Sequence, residues 1–172
     1  MKSVRTNLPL VNLRPGELYV AKEPTIIATL LGSCVSVCLF CPSRKIGAMC
    51  HGVMPFQDNT LAAESFRFVD SSVAYMVEVL AKGKDGRRAR LEAKLFGGAD
   101  VLDINSQKRR SVPTIGRQNI EAARASLAKH KVPIAAEKVG GLSGCKLFFY
   151  SHTGEVLLKR LPRFSGNAHG KN

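Results

Sequence analysis

The chain has 172 residues, 45% hydrophobic and 23% charged, with five cysteines and no tryptophan. That length fits one domain and the apolar share can bury a sizeable core, which excludes wholesale disorder. The formal net charge of +13 steers the protein toward anionic partners, whether nucleic acid, phospholipid or an acidic protein surface.

The N-terminal stretch lacks an unbroken apolar segment followed by a small-residue cleavage site. No window approaches the roughly 18 apolar residues that a membrane span needs. The expectation is a cytoplasmic protein with no membrane insertion. In that compartment thiols stay reduced, so an odd number of cysteines need not pair.

Residues 1–16 read as a loosely held N-terminal arm closed by Pro15-Gly16. "ELYVAKE" (17–23) is a short strand, and the β-branched "TIIATLL" (25–31) suits a buried one. Gly32-Ser33 interrupts the pattern before "CVSVCLF" (34–40), turn material at 42–45, and "IGAMCHGVM" (46–54). Val69, Val73, Met76, Val77 and Leu80 recur at the spacing of one helix face, with Gly83 as a stop. "RLEAKLF" (90–96) is a strand ended by Gly97-Gly98. A second amphipathic helix carries Ile120, Ala123 and Leu127 on one side and stops before Pro133. "PIAAEKV" (133–139) and a hairpin of "CKLFFY" and "EVLLKRL" around "SHTG" complete the elements. The tail, 165–172, is expected to be disordered. The sum is an α+β domain with two amphipathic helices on a mixed, largely antiparallel sheet.

Four cysteines and a histidine crowd "TLLGSCVSVCLFCPSRKIGAMCHGVMP" (29–55). Cys38 and Cys41 form a C-x-x-C, but within a strand their side chains point to opposite faces, and no second pair of that spacing exists. A metal site is not expected, nor a thioredoxin-like pair, which belongs at a helix N-terminus. Cys38, Cys41, Cys50 and Cys145 read as buried filler. Cys34 differs, because Gly32 and Ser33 before it leave backbone N–H groups that could stabilise an oxyanion. A four-residue loop at 42–45 would set Cys41 opposite Ile46, Ser36 opposite His51 and Cys34 opposite Val53. Cys34 and His51 would then be diagonal neighbours on one face. Such a pair can activate a thiol nucleophile, while a hydrogen-bonded core histidine is the alternative.

Basic residues gather at 82–90, 108–110 and 159–163. These are either solvated turns or a docking surface. No helix-turn-helix, zinc finger or aromatic RNA-binding motif accompanies them, so nucleic acid is not the expected partner.

Four stretches together resemble the chemoreceptor glutamine deamidase family, CheD: "LLGSCVSVCL" (30–39), "KIGAMCHGVMP" (45–55), "LEAKLFGGADVL" (91–102) and "IGRQNIEAA" (115–123). Weaker echoes follow in "EKVGGLSGCK" and "HTGEVLLKRL". The likeness covers about 17–161, within a deamidase domain set at 17–164. It implies a layered α/β/β fold with Cys34 as nucleophile, His51 as its partner, and backbone support from Gly32 and Ser33. A threonine completes the family's set. The position expected for it is Ala28, with Thr29 next, so either the strand shifts to let Thr29 serve or the site runs without that hydroxyl. The implied reaction converts chemoreceptor glutamines to glutamate through a thioester, without cofactor or metal. Partners so implied are the receptor's cytoplasmic domain and a CheC-type phosphatase. The alternative is a non-catalytic adaptor binding either one.

Overall fold

The computed structural model describes residues 7–57, 66–83, 85–101 and 112–162. Nine strands and two helices occur among them, in the order β1 Leu10–Asn12, β2 Leu18–Val20, β3 Ile26–Leu31, β4 Val35–Cys41, β5 Ile46–Cys50, α1 Val69–Leu80, β6 Glu92–Gly97, α2 Ile115–Lys129, β7 Ile134–Val139, β8 Cys145–Tyr150 and β9 Val156–Arg160. One sheet runs β2-β5-β4-β6-β7 and the other β1-β3-β8-β9. Pairing is antiparallel except for β6 with β7 and β1 with β3.

The alternation of side chains along a strand sorts β4 between two cores. Val35, Val37, Leu39 and Cys41 turn toward the helices, joining Val73, Met76, Leu80, Ile120, Ala123 and Leu127. Cys38 turns the other way, where Met49, Ile27, Leu147 and Phe149 fill the space between the sheets. Both faces of β4 are covered, so it reads as a nearly continuous apolar run. The layered α/β/β expectation is therefore met, with helices on the five-stranded sheet and the four-stranded sheet on its other side. Both helices bury the faces their periodicity assigns, and both also bury polar residues, Ser72 in α1 and Asn119 in α2.

The β4–β5 hairpin adopts the anticipated register, with Cys41 opposite Ile46 and Cys38 opposite Met49. Lys45 closes the turn with a left-handed φ of 51°. Gly97 and Gly98, at φ 98° and 68°, end β6. A Cβ on Gly98 would lie 2.5 Å from the Ile120 side chain, so only glycine lets α2 approach this closely.

Within the stretch read as an N-terminal arm, Leu10–Asn12 forms β1 and pairs in parallel with Ile26, Ile27 and Ala28. A three-residue strand with a single polar–apolar alternation carries too little periodicity to announce itself. The basic residues 108–110 and the tail at 165–172 lie outside the described residues.

Phe149 is fully buried between the sheets. Phe149→Ala should lower unfolding free energy by about 3–5 kcal/mol, read as a reduced urea midpoint at unchanged slope.

Candidate active site

The ladder between β4 and β5 extends one step past the hairpin, because Val35 and Gly52 exchange N–H···O bonds of 3.0 and 2.8 Å. This fixes the register through His51. Cys34 packs on the inter-sheet core, as do Cys38 and Phe40 of the same strand, and Met49 shows that odd positions of β5 face the same way. Cys34 and His51 are thus diagonal neighbours on the face turned toward the second sheet. Ser36, opposite His51 in this register, is fully buried, and its Oγ has no partner among the described residues.

The second sheet supplies what the hairpin cannot. Thr29 of β3 points inward, as Ile27 and Leu31 do, and its Oγ1 lies 2.8 Å from Nδ1 of His51. The same hydroxyl donates to the carbonyl of Leu13 at 2.9 Å. A hydroxyl has one proton, and a carbonyl can only accept. The Thr29 proton therefore goes to Leu13, and Nδ1 of neutral His51 carries the hydrogen that Oγ1 accepts. Nε2 is left with its lone pair free, which is the tautomer a general base requires. Ala28, the other candidate for this position, lies on the opposite face of β3.

His51 is held at its backbone as well. Gly16 donates to its carbonyl at 2.9 Å, and its own N–H donates to the carbonyl of Glu17 at 2.9 Å. The imidazole is almost completely buried. Burial pushes its pKa down to about 4, against a smaller opposing pull from Glu17. It therefore rests neutral.

Cys34 sits at the end of an anchored loop. The Gly32 carbonyl accepts from Ala99 N–H at 2.9 Å, the Ser33 carbonyl from Asn119 Nδ2 at 3.1 Å, and the Cys34 carbonyl from Gly98 N–H at 2.8 Å. In a trans peptide the N–H points opposite to the C=O of the same plane. The N–H groups of Ser33 and Cys34 therefore face away from these anchors, and among the described residues no oxygen accepts from either, the Cys34 N–H meeting only its own sulfur. The Cys34 N–H lies on the thiol side, where it favours the thiolate against the larger upward push of burial on that pKa. The loop thus joins the Cys34 thiol to two outward donors.

Of the five cysteines Cys34 alone is partly accessible. Burial raises the Cys50 thiol to about 11, and that of Cys38 higher still. Cys38 and Cys41 fall into different cores, as strand alternation requires. Among the described residues no three of His, Cys, Asp or Glu are grouped as a metal would need. No helix there is long and apolar enough to cross a membrane.

The sequence reading overlooked the contributions of Leu13 and Asn119. Asn119 is fully buried and donates to Val53 O at 2.9 Å as well as to Ser33 O. It thus ties the segment after His51 to the loop before Cys34. Its visible signal was an amide on the helix face that otherwise carries Gly116, Ile120, Ala123 and Leu127.

A family model described as CheD chemotactic sensory transduction matches residues 53–160, a stretch that begins beyond His51. A probable chemoreceptor glutamine deamidase CheD 2 of Geobacter sulfurreducens is 43% identical over 164 residues, covering 95% of this chain and 97% of its own. The probable chemoreceptor glutamine deamidase CheD of Maridesulfovibrio salexigens is 33% identical over 169 residues, covering 95% and 98%. In Burkholderia thailandensis a probable chemoreceptor glutamine deamidase CheD 1 is 36% identical over 154 residues, which span 88% of this chain and 63% of that one.

A histidine kept neutral by the fold makes stability depend on pH. The unfolded chain takes up this proton below its ordinary pKa of 6.5, whereas folded His51 resists until about 4. Its contribution is therefore constant above 6.5 and is lost as pH falls between those values. Against His51→Gln, the wild type should lose on the order of 2–3 kcal/mol more stability between about pH 7 and pH 4, read by urea unfolding at each pH.

Proposed function

The chain belongs to the CheD family, and from that premise we propose that it hydrolyses chemoreceptor glutamine side chains to glutamate with Cys34 as nucleophile. The observation that supports this most directly is the Thr29–His51 contact of 2.8 Å, which leaves Nε2 unprotonated on the face shared with the thiol. His51 Nε2 takes the Cys34 proton as sulfur attacks the amide carbon. The carbonyl oxygen becomes an oxyanion held by the N–H groups of Ser33 and Cys34. Collapse of the adduct breaks the C–N bond, and His51 returns its proton to the departing ammonia. Water then attacks the thioester, giving one proton to His51, and collapse releases glutamate and restores the Cys34 thiol. A neutral thiol and a neutral imidazole at rest suit this sequence, since the proton moves during attack.

The non-catalytic adaptor reading drew its motive from Ala28, and with Thr29 against His51 that motive is gone. A CheC-type phosphatase remains a proposed second partner on the family resemblance. Action on the receptor's cytoplasmic region would place the protein in the cytoplasm.

The sheet sets the basic clusters at different distances from Cys34. Arg88 and its neighbours precede Glu92, which pairs with Phe40, whereas Cys34 precedes Val35, which pairs with Gly97. β4 has seven residues, so Arg88 and Arg90 lie about 20 Å from the thiol, at the other end of the strand. Lys138 and Arg160 instead line a cavity of about 190 Å³ together with Gly32 and Gly97. We therefore assign the acidic receptor surface to the Lys138 and Arg160 end.

Incubated with a receptor cytoplasmic fragment, the wild type should convert glutamine to glutamate by mass spectrometry, and Cys34→Ala should not. Thr29→Val, which removes the acceptor for Nδ1, should lower kcat about 10²-fold or more, while Thr29→Ser should recover most of it. Conversion by Cys34→Ala at the wild-type rate would sink the mechanism.

Reversing charge at Lys138 and Arg160 should raise KM for the receptor fragment and flatten its salt dependence. The same change at Arg87, Arg88 and Arg90 should leave both nearly unchanged.

A further inference from the structure

Ser33 and Cys34 precede β4, outside the regular ladder, so the peptide between them can turn about Ser33 ψ and Cys34 φ unless something holds its carbonyl. The group that holds it is the Asn119 side chain. Nδ2 donates at 3.1 Å to Ser33 O and at 2.9 Å to Val53 O, so both amide hydrogens are used. The orientation of the amide is settled by these partners, because flipping it would set Oδ1 against two carbonyl oxygens. Oδ1 itself is buried and has no partner among the described residues. The residue therefore serves here as a pair of donors, and its acceptor is left unsatisfied in the process.

We propose that Asn119 is the positioning residue of the oxyanion site. By holding the Ser33 carbonyl inward it turns the Cys34 N–H outward, to where the glutamine oxygen becomes an anion. Without it the Ser33 carbonyl loses its inward partner and is drawn toward water, and rotation of that peptide carries the Cys34 N–H away from the reacting oxygen. The second bond, to Val53, holds the loop against the segment that follows His51. Helix α2 comes close enough to do this because Gly98 and Gly116 touch without side chains between them. The proposal rests on the deamidase reading and adds to it a residue that never touches substrate.

The test separates oxyanion stabilisation from nucleophile reactivity. Alkylation of Cys34 by iodoacetamide is a displacement at saturated carbon and develops no oxyanion, whereas deamidation does. For Asn119→Ala and Asn119→Asp, kcat toward the receptor fragment should fall about 10²–10³-fold with KM little changed, while alkylation, which loses only the Cys34 N–H bond to the thiolate, should slow by about ten-fold at most. A parallel fall in alkylation would overturn the proposal, since Asn119 would then be shaping the thiol–imidazole pair or the fold at large. So would wild-type kcat in a folded variant.

Should both variants fail to fold, the wild type still decides. A receptor peptide carrying glutamic semialdehyde in place of glutamine adds the Cys34 sulfur to its aldehyde carbon, and the thiol proton goes to the resulting alkoxide. The Cys34 amide proton should then move downfield by NMR, with Ser33 Cα and carbonyl shifts unchanged as its peptide stays anchored. An unmoved Cys34 amide, or a reoriented Ser33 carbonyl, would overturn the proposal. Failure of the parent reading looks different: deamidation would survive Cys34→Ala, whereas failure of this inference alone leaves Cys34→Ala inactive and Asn119→Ala active.

Discussion

One hydroxyl proton organises this site. Thr29 Oγ1 stands between an acceptor that cannot donate, the Leu13 carbonyl, and an imidazole nitrogen that can do either. The first fixes the direction of the second. That decision depends on three separate pieces of chain, since Leu13 follows β1, Thr29 belongs to β3, and His51 follows β5 in the other sheet. A buried polar chain of this kind is strong when every member is satisfied and costly when one is not. The stacking of the two sheets is thus a condition for the correct histidine tautomer as well as for burial.

The loop before Cys34 follows a complementary logic. Three successive carbonyls are drawn inward, by Ala99 N–H, Asn119 Nδ2 and Gly98 N–H. Planarity of the peptide then leaves N–H groups on the outer side. Two of these anchors come from the residues just after β6, where left-handed glycines turn the chain back under the loop. The third comes from a helix that those glycines admit. Thus the G-G of "LFGGAD" contributes to the chemistry through backbone direction, without presenting any reactive group.

Much of this was legible in the sequence, and for a local reason. The hairpin register followed from loop length and strand alternation, so the shared face of Cys34 and His51 could be read from residues 34–51 alone. Helix faces were equally plain, because Val73, Met76 and Leu80, or Ile120, Ala123 and Leu127, repeat often enough to define a direction. The choice between Ala28 and Thr29 could not be read in that way. It depends on which side of β3 meets the five-stranded sheet, and that is set by packing between strands distant in sequence. β1 escaped notice because it is short and its partner β3 runs parallel, so no turn marks the pairing. Asn119 was quoted within a motif, but an amide on an apolar helix face gives its position and not its partners.

The position of Thr29 also has a consequence in time. β3 lies between β1 and β8, and β8 is Cys145–Tyr150. Contacts so distant in sequence close late, because chain entropy must be lost before they return anything. During synthesis the Cys34–His51 hairpin can form long before the strand that seats Thr29 has left the ribosome. A nascent chain would hold a thiol beside an imidazole whose proton is not yet assigned. The seating of Thr29 against His51 therefore draws on both ends of the sequence, with β1 on one side of β3 and β8 on the other.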